Sequence, residues 1–332
     1  MPDLFINCDW GTSRFRLRAV RRADVEVVAE FGSDQGVARL AEGDPTDRVA
    51  RFRDTLREGL CHLAQRVEKS RHKLGAAPCL VSGMASSSVG WQELPYARVP
   101  LPIDGSELVW HELEPIESGE GTHRVILVSG LASHSDVMRG EETQLVGLFQ
   151  LPVAKALAAR SLVVMPGTHS KHVTIHNNQI IAFWTFMTGE LYEVLGEHSI
   201  LRHSIGQPTS LSQDLSGEVL MAFRWGVEWA GARPLSAALF RVRTRQVLDR
   251  SDPLNNRAFL SGVLVGSELS YLAGEAWRIV PIVLCAAEPL ANVYTKACDV
   301  LGLAERMTVI SPAETARLSA LGQRCLLRQV SM

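Results

Sequence analysis

The chain has 332 residues, 46% of them apolar and 21% charged. That is the composition of about two globular domains and excludes a disordered or collagen-like chain. Its 34 basic and 36 acidic residues give a net charge of −2, which excludes a nucleic-acid partner drawn by bulk charge. No uncharged apolar run approaches the ~18 residues of a membrane-spanning helix. The start, Met1 to Asp9, lacks the basic region of a signal peptide. The six cysteines are scattered and include no Cys-x-x-Cys pair, so neither a zinc site nor a disulfide framework is expected. These features predict a cytoplasmic protein.

In chain order, Leu4 to Cys8 reads as a strand and Asp9-Trp10-Gly11-Thr12-Ser13 as a turn. Phe15, Leu17 and Ala19 then alternate with arginines, the period-two mark of a half-buried strand. A third strand is expected over Val25–Phe31. A helix should start near Asp44-Pro45 and run to about Lys69. Cys79–Ser82 and Val125–Ser129 read as short buried strands, each ending in a Gly-containing turn, and Gly140–Phe149 as a helix. The pattern then restarts. Ser161–Met165 is a strand, Pro166-Gly167-Thr168-His169-Ser170 a turn, Lys171–Ile175 a second strand and Ile180–Thr185 a third. Helices are expected over Leu191–Glu197, Gly217–Trp229, Asn256–Glu275, Pro289–Leu301 and Pro312–Leu321, with strands at Ile279–Leu284 and Thr308–Ile310. The repeat of strand, Gly-Thr turn, strand, strand predicts two α/β halves, residues 1–158 and 159–332, facing a cleft.

Two small-residue turns between antiparallel strands suit a polyphosphate, because glycine lets the backbone approach the anion and N–H and hydroxyl groups donate to it. The same turns could be ordinary hairpins. Asp9, at a strand end, could hold Mg²⁺ through water. The chain has no Gly-Lys dipeptide and no Gly-x-Gly-x-x-Gly, so neither the Walker nor the Rossmann phosphate loop is present. His169, His172 and His176 do not suit a joint metal site, since the first two point to opposite faces of a strand.

Asp9-Trp10-Gly11-Thr12-Ser13 resembles the first phosphate motif of the sugar kinase, actin and heat-shock chaperone ATPase superfamily. Gly140-Glu141-Glu142-Thr143-Gln144 resembles the helix start that carries the catalytic acid of FGGY-type sugar kinases, and Pro166 to Lys171 the second phosphate motif. Val283 to Leu290 looks like the adenosine motif, with Cys285-Ala286-Ala287 where glycines are usual. Further strings, in order, are similar to the 2-keto-3-deoxygalactonate kinase family. They are Gly83-Met84, Val89-Gly90-Trp91, Pro95-Tyr96, Val137-Met138-Arg139-Gly140-Glu141-Glu142-Thr143-Gln144-Leu145, Met165-Pro166-Gly167-Thr168-His169, Thr188-Gly189-Glu190-Leu191 and Phe259-Leu260-Ser261-Gly262.

The resemblance implies two ribonuclease-H-like domains of the actin-like ATPase type, closing around their substrates. It implies ATP- and Mg²⁺-dependent phosphorylation of 2-dehydro-3-deoxygalactonate at its terminal hydroxyl. Gly11, Thr12, Ser13, Gly167, Thr168 and Lys171 would hold the ATP phosphates, and Ala286, Ala287 and Glu288 the adenosine. Asp9 would position Mg²⁺. Glu141, or else Glu142, would be the general base, although either could simply favour a helix N-terminus. Gly83, Met84, Ser86, Ser87, Trp91, Arg139 and His169 would face the sugar acid. Trp91 could equally be a buried anchor, Lys171 an exposed strand lysine, and the serines loop caps. No nucleic-acid or membrane partner is expected, and a homodimer is left open. The alternatives are a kinase for another keto-deoxy acid or sugar, or an ATPase-only actin-like protein.

Overall fold

A computed structural model describes residues 2–119, 121–206 and 215–330. Two compact units emerge. The first comprises Met1–Ala158, Asn178–Ala182 and Ala316–Met332, the second Ala159–Asn177 and Phe183–Thr315. No helix among the described residues is long and apolar enough to cross a membrane.

The first unit is built on six strands: β1 (Leu4–Trp10), β2 (Phe15–Arg21), β3 (Val27–Ser33), β4 (Cys79–Gly83), β5 (Trp110–Ser118) and β6 (Gly121–Val128). Their order is β3-β2-β1-β4-β6-β5. β1, β2 and β3 form an antiparallel meander, while β1, β4 and β6 run parallel. The Arg48–Lys69 helix buries Phe52, Leu56, Leu60, Leu63 and Val67, the one-face spacing of an amphipathic helix. They share a core with Trp10, Phe15 and Leu17.

The second unit repeats this order. Its sheet strands are β7 (Arg160–Met165), β8 (Ser170–His176), β9 (Gln179–Phe186, whose first residues to Ala182 group with the first unit), β10 (Ile282–Cys285) and β11 (Met307–Ile310). They lie in the order β11-β10-β7-β8-β9, with β7 antiparallel to β8 and parallel to β10. Both units thus have the antiparallel meander plus parallel extension of a ribonuclease-H-like α/β fold. In the second core the Gly217–Gly231 and Pro253–Leu269 helices touch through Gly226, Gly262 and Gly266, where a methyl would strike the facing helix backbone.

Several expectations need correction. The units differ from the expected halves 1–158 and 159–332, because Asn178–Ala182 and Ala316–Met332 group with the first unit. The Leu318–Val330 helix packs on the Glu141–Leu148 helix through facing Gly147 and Gly322. Its Gln323 donates to the Cys8 carbonyl (3.0 Å) and the Ser82 hydroxyl (2.8 Å), and Asn7 donates to Ser319 (3.0 Å). The helix expected over 312–321 is two helices, Pro312–Thr315 and Leu318–Val330, and the second runs past the expected end. Strand β5 was not foreseen, because in Trp-His-Glu-Leu-Glu-Pro-Ile-Glu-Ser only Leu113 and Ile116 are buried. The Leu235–Asp249 helix was not foreseen either, since only Ala238, Val242 and Arg245 on it are buried.

Candidate active site

In the first unit, Asp9 is half-buried near the end of β1, opposite Arg16 on β2. Burial raises its pKa, although Arg16 and Arg18 pull the other way. Among the described residues its carboxylate has no hydrogen-bond partner, and no cluster of three or more metal-ligating side chains exists. A single, partly desolvated carboxylate suits Mg²⁺, a cation that keeps water and phosphate oxygens as its other ligands.

The Gly11–Arg14 turn closes with a bond from the Gly11 N–H to the Arg14 carbonyl, 2.9 Å. The Gly11 and Thr12 carbonyls accept from the Val37 and Ala38 N–H groups, both at 3.0 Å. Gly36 lies so close that a methyl on it would overlap Thr12 and Ser13. With its carbonyls so used, the turn leaves Thr12 and Ser13 exposed, and no described residue takes their N–H or hydroxyl groups.

Gly83 ends β4 at φ +98°, where a methyl would sit 2.7 Å from the Trp10 carbonyl, so only glycine fits. Gly140, at φ +104°, faces Gly83. This approach brings the Gly83–Ser87 loop to the start of the Glu141–Leu148 helix. Arg139 ties the two together. It donates to the Ser86 hydroxyl (2.7 Å), the Tyr96 hydroxyl (3.1 Å) and the Leu94 carbonyl (3.2 Å), and its guanidinium lies 3.9 Å over the Tyr96 ring.

Glu142 is fully buried and accepts from the Gly140 N–H (2.7 Å) and the Thr143 hydroxyl (3.0 Å). Burial, with the neighbouring Glu141 charge second, pushes its pKa up to about 8 against the pull of those donors. Glu141 is only half-buried. The two carboxyls thus differ: one is held inside the helix start, the other is within reach of solvent.

Other first-unit candidates fare differently. Met84 is half-exposed. Ser86 and Ser87 are buried, and their hydroxyls donate to the Gly83 carbonyl (3.3 Å) and the Met84 carbonyl (2.7 Å), the loop-cap arrangement. Trp91 is buried against Trp10 and stacks on Phe52 with centroids 6.3 Å apart, so its faces belong to the core.

In the second unit, Gly167 and Thr168 head the turn between β7 and β8. Gly167 has open space where a side chain would stand, and Thr168 is exposed with no partner for its N–H or hydroxyl among the described residues. The Gly167 N–H turns inward to the Ser170 hydroxyl, 3.4 Å. The Thr168 carbonyl accepts from the Glu190 N–H (3.1 Å), and a methyl on Gly189 would lie 2.6 Å from the Gly167 carbonyl. Lys171 is buried, not an exposed strand lysine, and donates to the His169 carbonyl at 3.0 Å. His169 is exposed and paired with Glu190, His172 is buried, and His176 is exposed. Ala286 is buried, while Ala287 and Glu288 are exposed past the end of β10.

Two features escaped the sequence reading. One is the role of Gly36 and Gly189, which brace the turns from elsewhere. The other is a buried polar cluster around Glu268. Its signal was a lone acid in the apolar run Val263-Leu264-Val265-Gly266-Ser267-Glu268-Leu269.

Residues 9–321 match the 2-keto-3-deoxy-galactonokinase family. The chain is 33% identical to a protein of Rhizobium meliloti (strain 1021) named a probable 2-dehydro-3-deoxygalactonokinase, over 94% of each chain. It is also 33% identical to the 2-dehydro-3-deoxygalactonokinase of Escherichia coli (strain K12), over 91% of each. A crystal structure from Sinorhizobium meliloti, provisionally named for the same activity, superposes with a TM-score of 0.72 at 30% identity, covering 96% of this chain and 98% of the other. The chain therefore belongs to the 2-keto-3-deoxy-galactonokinase family of carbohydrate kinases.

Proposed function

We propose that the chain transfers the γ-phosphoryl group of ATP to the terminal (6-) hydroxyl of 2-dehydro-3-deoxy-D-galactonate. The products are the 6-phosphate and ADP, and the reaction serves galactonate catabolism in the cytoplasm. The hydroxyl oxygen forms the new bond to phosphorus as the bond to the β-phosphate oxygen breaks, and the hydroxyl proton passes to a carboxylate. We assign that role to Glu141. Its neighbour Glu142 is buried, already accepts two hydrogen bonds and holds its own proton up to about pH 8. Glu141 is the carboxyl that a substrate can meet.

The observation that carries the reading is Arg139, two residues before Glu141. It is fixed by Ser86, Leu94 and Tyr96, and its remaining N–H groups are left for a sugar-acid carboxylate. Met84 and Gly83 complete the proposed acid contacts in the first unit, while Ser86 and Ser87 act by shaping their loop; His169, paired with Glu190, stays with the second turn. In the first unit Thr12 and Ser13 are the exposed donors for ATP phosphate, and in the second unit Thr168 is, with Gly11 and Gly167 leaving room beside them; buried Lys171, bonded to the His169 carbonyl, supports the second turn from within. Ala287 and Glu288 are the exposed candidates for adenosine. Mg²⁺, positioned by Asp9, would neutralise phosphate charge. The protein's own contribution is mostly positioning and electrostatic stabilisation.

ADP release measured with and without the keto acid tests this. Turnover that needs 2-dehydro-3-deoxygalactonate, and is weaker with other keto-deoxy acids, is the expected result. Substrate-independent turnover would favour an ATPase. Faster turnover with another acid would reassign the substrate.

A further inference from the structure

The turn between β7 and β8 is anchored by a hydrogen-bond chain that ends on a buried carboxylate. Glu268 sits in the last turn of the Pro253–Leu269 helix and is almost wholly buried. One of its oxygens accepts from His172 Nε2 at 2.8 Å. The other accepts from the Tyr294 hydroxyl at 2.7 Å and from the Thr188 hydroxyl. A buried carboxylate is costly unless it is fully hydrogen-bonded, and three donors meet that need. The other ring nitrogen of His172, Nδ1, lies 2.6 Å from the Tyr271 hydroxyl, so both nitrogens have a hydrogen-bond partner.

The chain has a direction. The Tyr294 hydroxyl donates to Glu268, so its oxygen receives the Ser170 hydroxyl at 3.0 Å. The Ser170 oxygen in turn receives the Gly167 N–H. Such a series, ending on an anion, polarises each member in one sense. Through Thr188, Glu268 also grips the start of the Thr188–His198 helix. Its next residues, Gly189 and Glu190, lie on Gly167 and hold the Thr168 carbonyl. Both routes from Glu268 converge on Gly167 and Thr168.

We infer that Glu268 is a positioning residue for the nucleotide, holding the second phosphate turn through Tyr294 and Ser170 on one side and Thr188 on the other. This rests on the proposed phosphate role of Thr168. It assigns a task to the Thr188-Gly189-Glu190 string and to Tyr294 that the reaction chemistry does not itself require.

The test is steady-state kinetics of Tyr294→Phe, Thr188→Val and Glu268→Gln in the full chain, beside Thr168→Ala. Loss of one charge-assisted hydrogen bond should raise the KM for ATP about tenfold in Tyr294→Phe and Thr188→Val. Glu268→Gln should raise it further, and the KM for the keto acid should stay within about twofold in all three. Tyr294→Phe removes one oxygen without changing shape, so it reports even if Glu268→Gln folds poorly. Lowered thermal stability with both KM values unchanged would make the cluster mere packing and overturn the inference. An ATP KM that rises in Thr168→Ala but not in Tyr294→Phe or Thr188→Val would overturn it as well. If Thr168→Ala leaves ATP affinity intact while Tyr294→Phe weakens it, the phosphate assignment of Thr168 fails and the anchoring role stands.

Discussion

The turn after β1 and the turn after β7 stand at the same place in the same strand order, and each is braced by a glycine near the start of the next helix. Gly36 lies on Thr12 and Ser13, and Gly189 on Gly167 and Thr168. A backbone N–H just past the glycine bonds the threonine carbonyl in each case, Ala38 to Thr12 and Glu190 to Thr168. The surroundings then diverge. Among the described residues the first turn is held by backbone bonds, whereas the second is also tied to Glu268 by side chains. Topology therefore supplies the shared brace, and side chains decide how far each turn is locked.

The largest effects should come from residues near the first turn that carry charge. Glu141→Gln keeps the shape but cannot take a proton, so kcat should fall ~10²–10⁴-fold with both substrates still bound. Asp9→Asn should fold normally and nearly abolish turnover when Mg²⁺ is limiting. Wild-type rates in either variant, measured by ADP release, would remove that residue from the chemistry.

The glycine braces break the comparison more directly. Gly36→Ala and Gly189→Ala should each push the turn beneath, costing ~1–3 kcal/mol of stability, as overpacking does. Both should raise the KM for ATP. Thermal unfolding with nucleotide titration will show whether the first turn, held by backbone bonds among the described residues, is displaced more easily.

A smaller change is expected at Arg139. Arg139→Lys keeps the charge but loses the fork that joins Ser86, Leu94 and Tyr96. The KM for the keto acid should rise about tenfold with that for ATP near normal. The reverse pattern would move Arg139 to the phosphates.

The smallest effect concerns stability and pH. Glu142 binds its proton more tightly when folded (about 8) than its ordinary value of 4.5. Between those values the folded state carries the extra proton, so stability should decline as pH rises through this window and level off above about 8. Denaturant unfolding should show the slope in the wild type and a flatter curve in Glu142→Gln, with kcat little altered.

The sequence by itself determined the local patterns. Alternating Phe15, Leu17 and Ala19, the two Gly-Thr turns, the Asp44 helix start and the Arg48–Lys69 helix are written in short-range periodicity and turn chemistry, and the structure keeps them within a few residues. The family strings pointed to the acidic helix start and to both turns. What required the tertiary structure were contacts between residues far apart in the chain. Which of two adjacent glutamates is buried depends on what packs behind their helix, and that is the C-terminal helix through Gly147 and Gly322. Likewise the sequence leaves Trp91 open between substrate stacking and a buried anchor, and Lys171 between phosphate contact and an exposed strand position; both are buried, because burial follows from neighbours that periodicity does not name. Glu268, Tyr294, Thr188 and Ser170 are spread over some 120 residues and become one hydrogen-bond chain only when helices and strands have met.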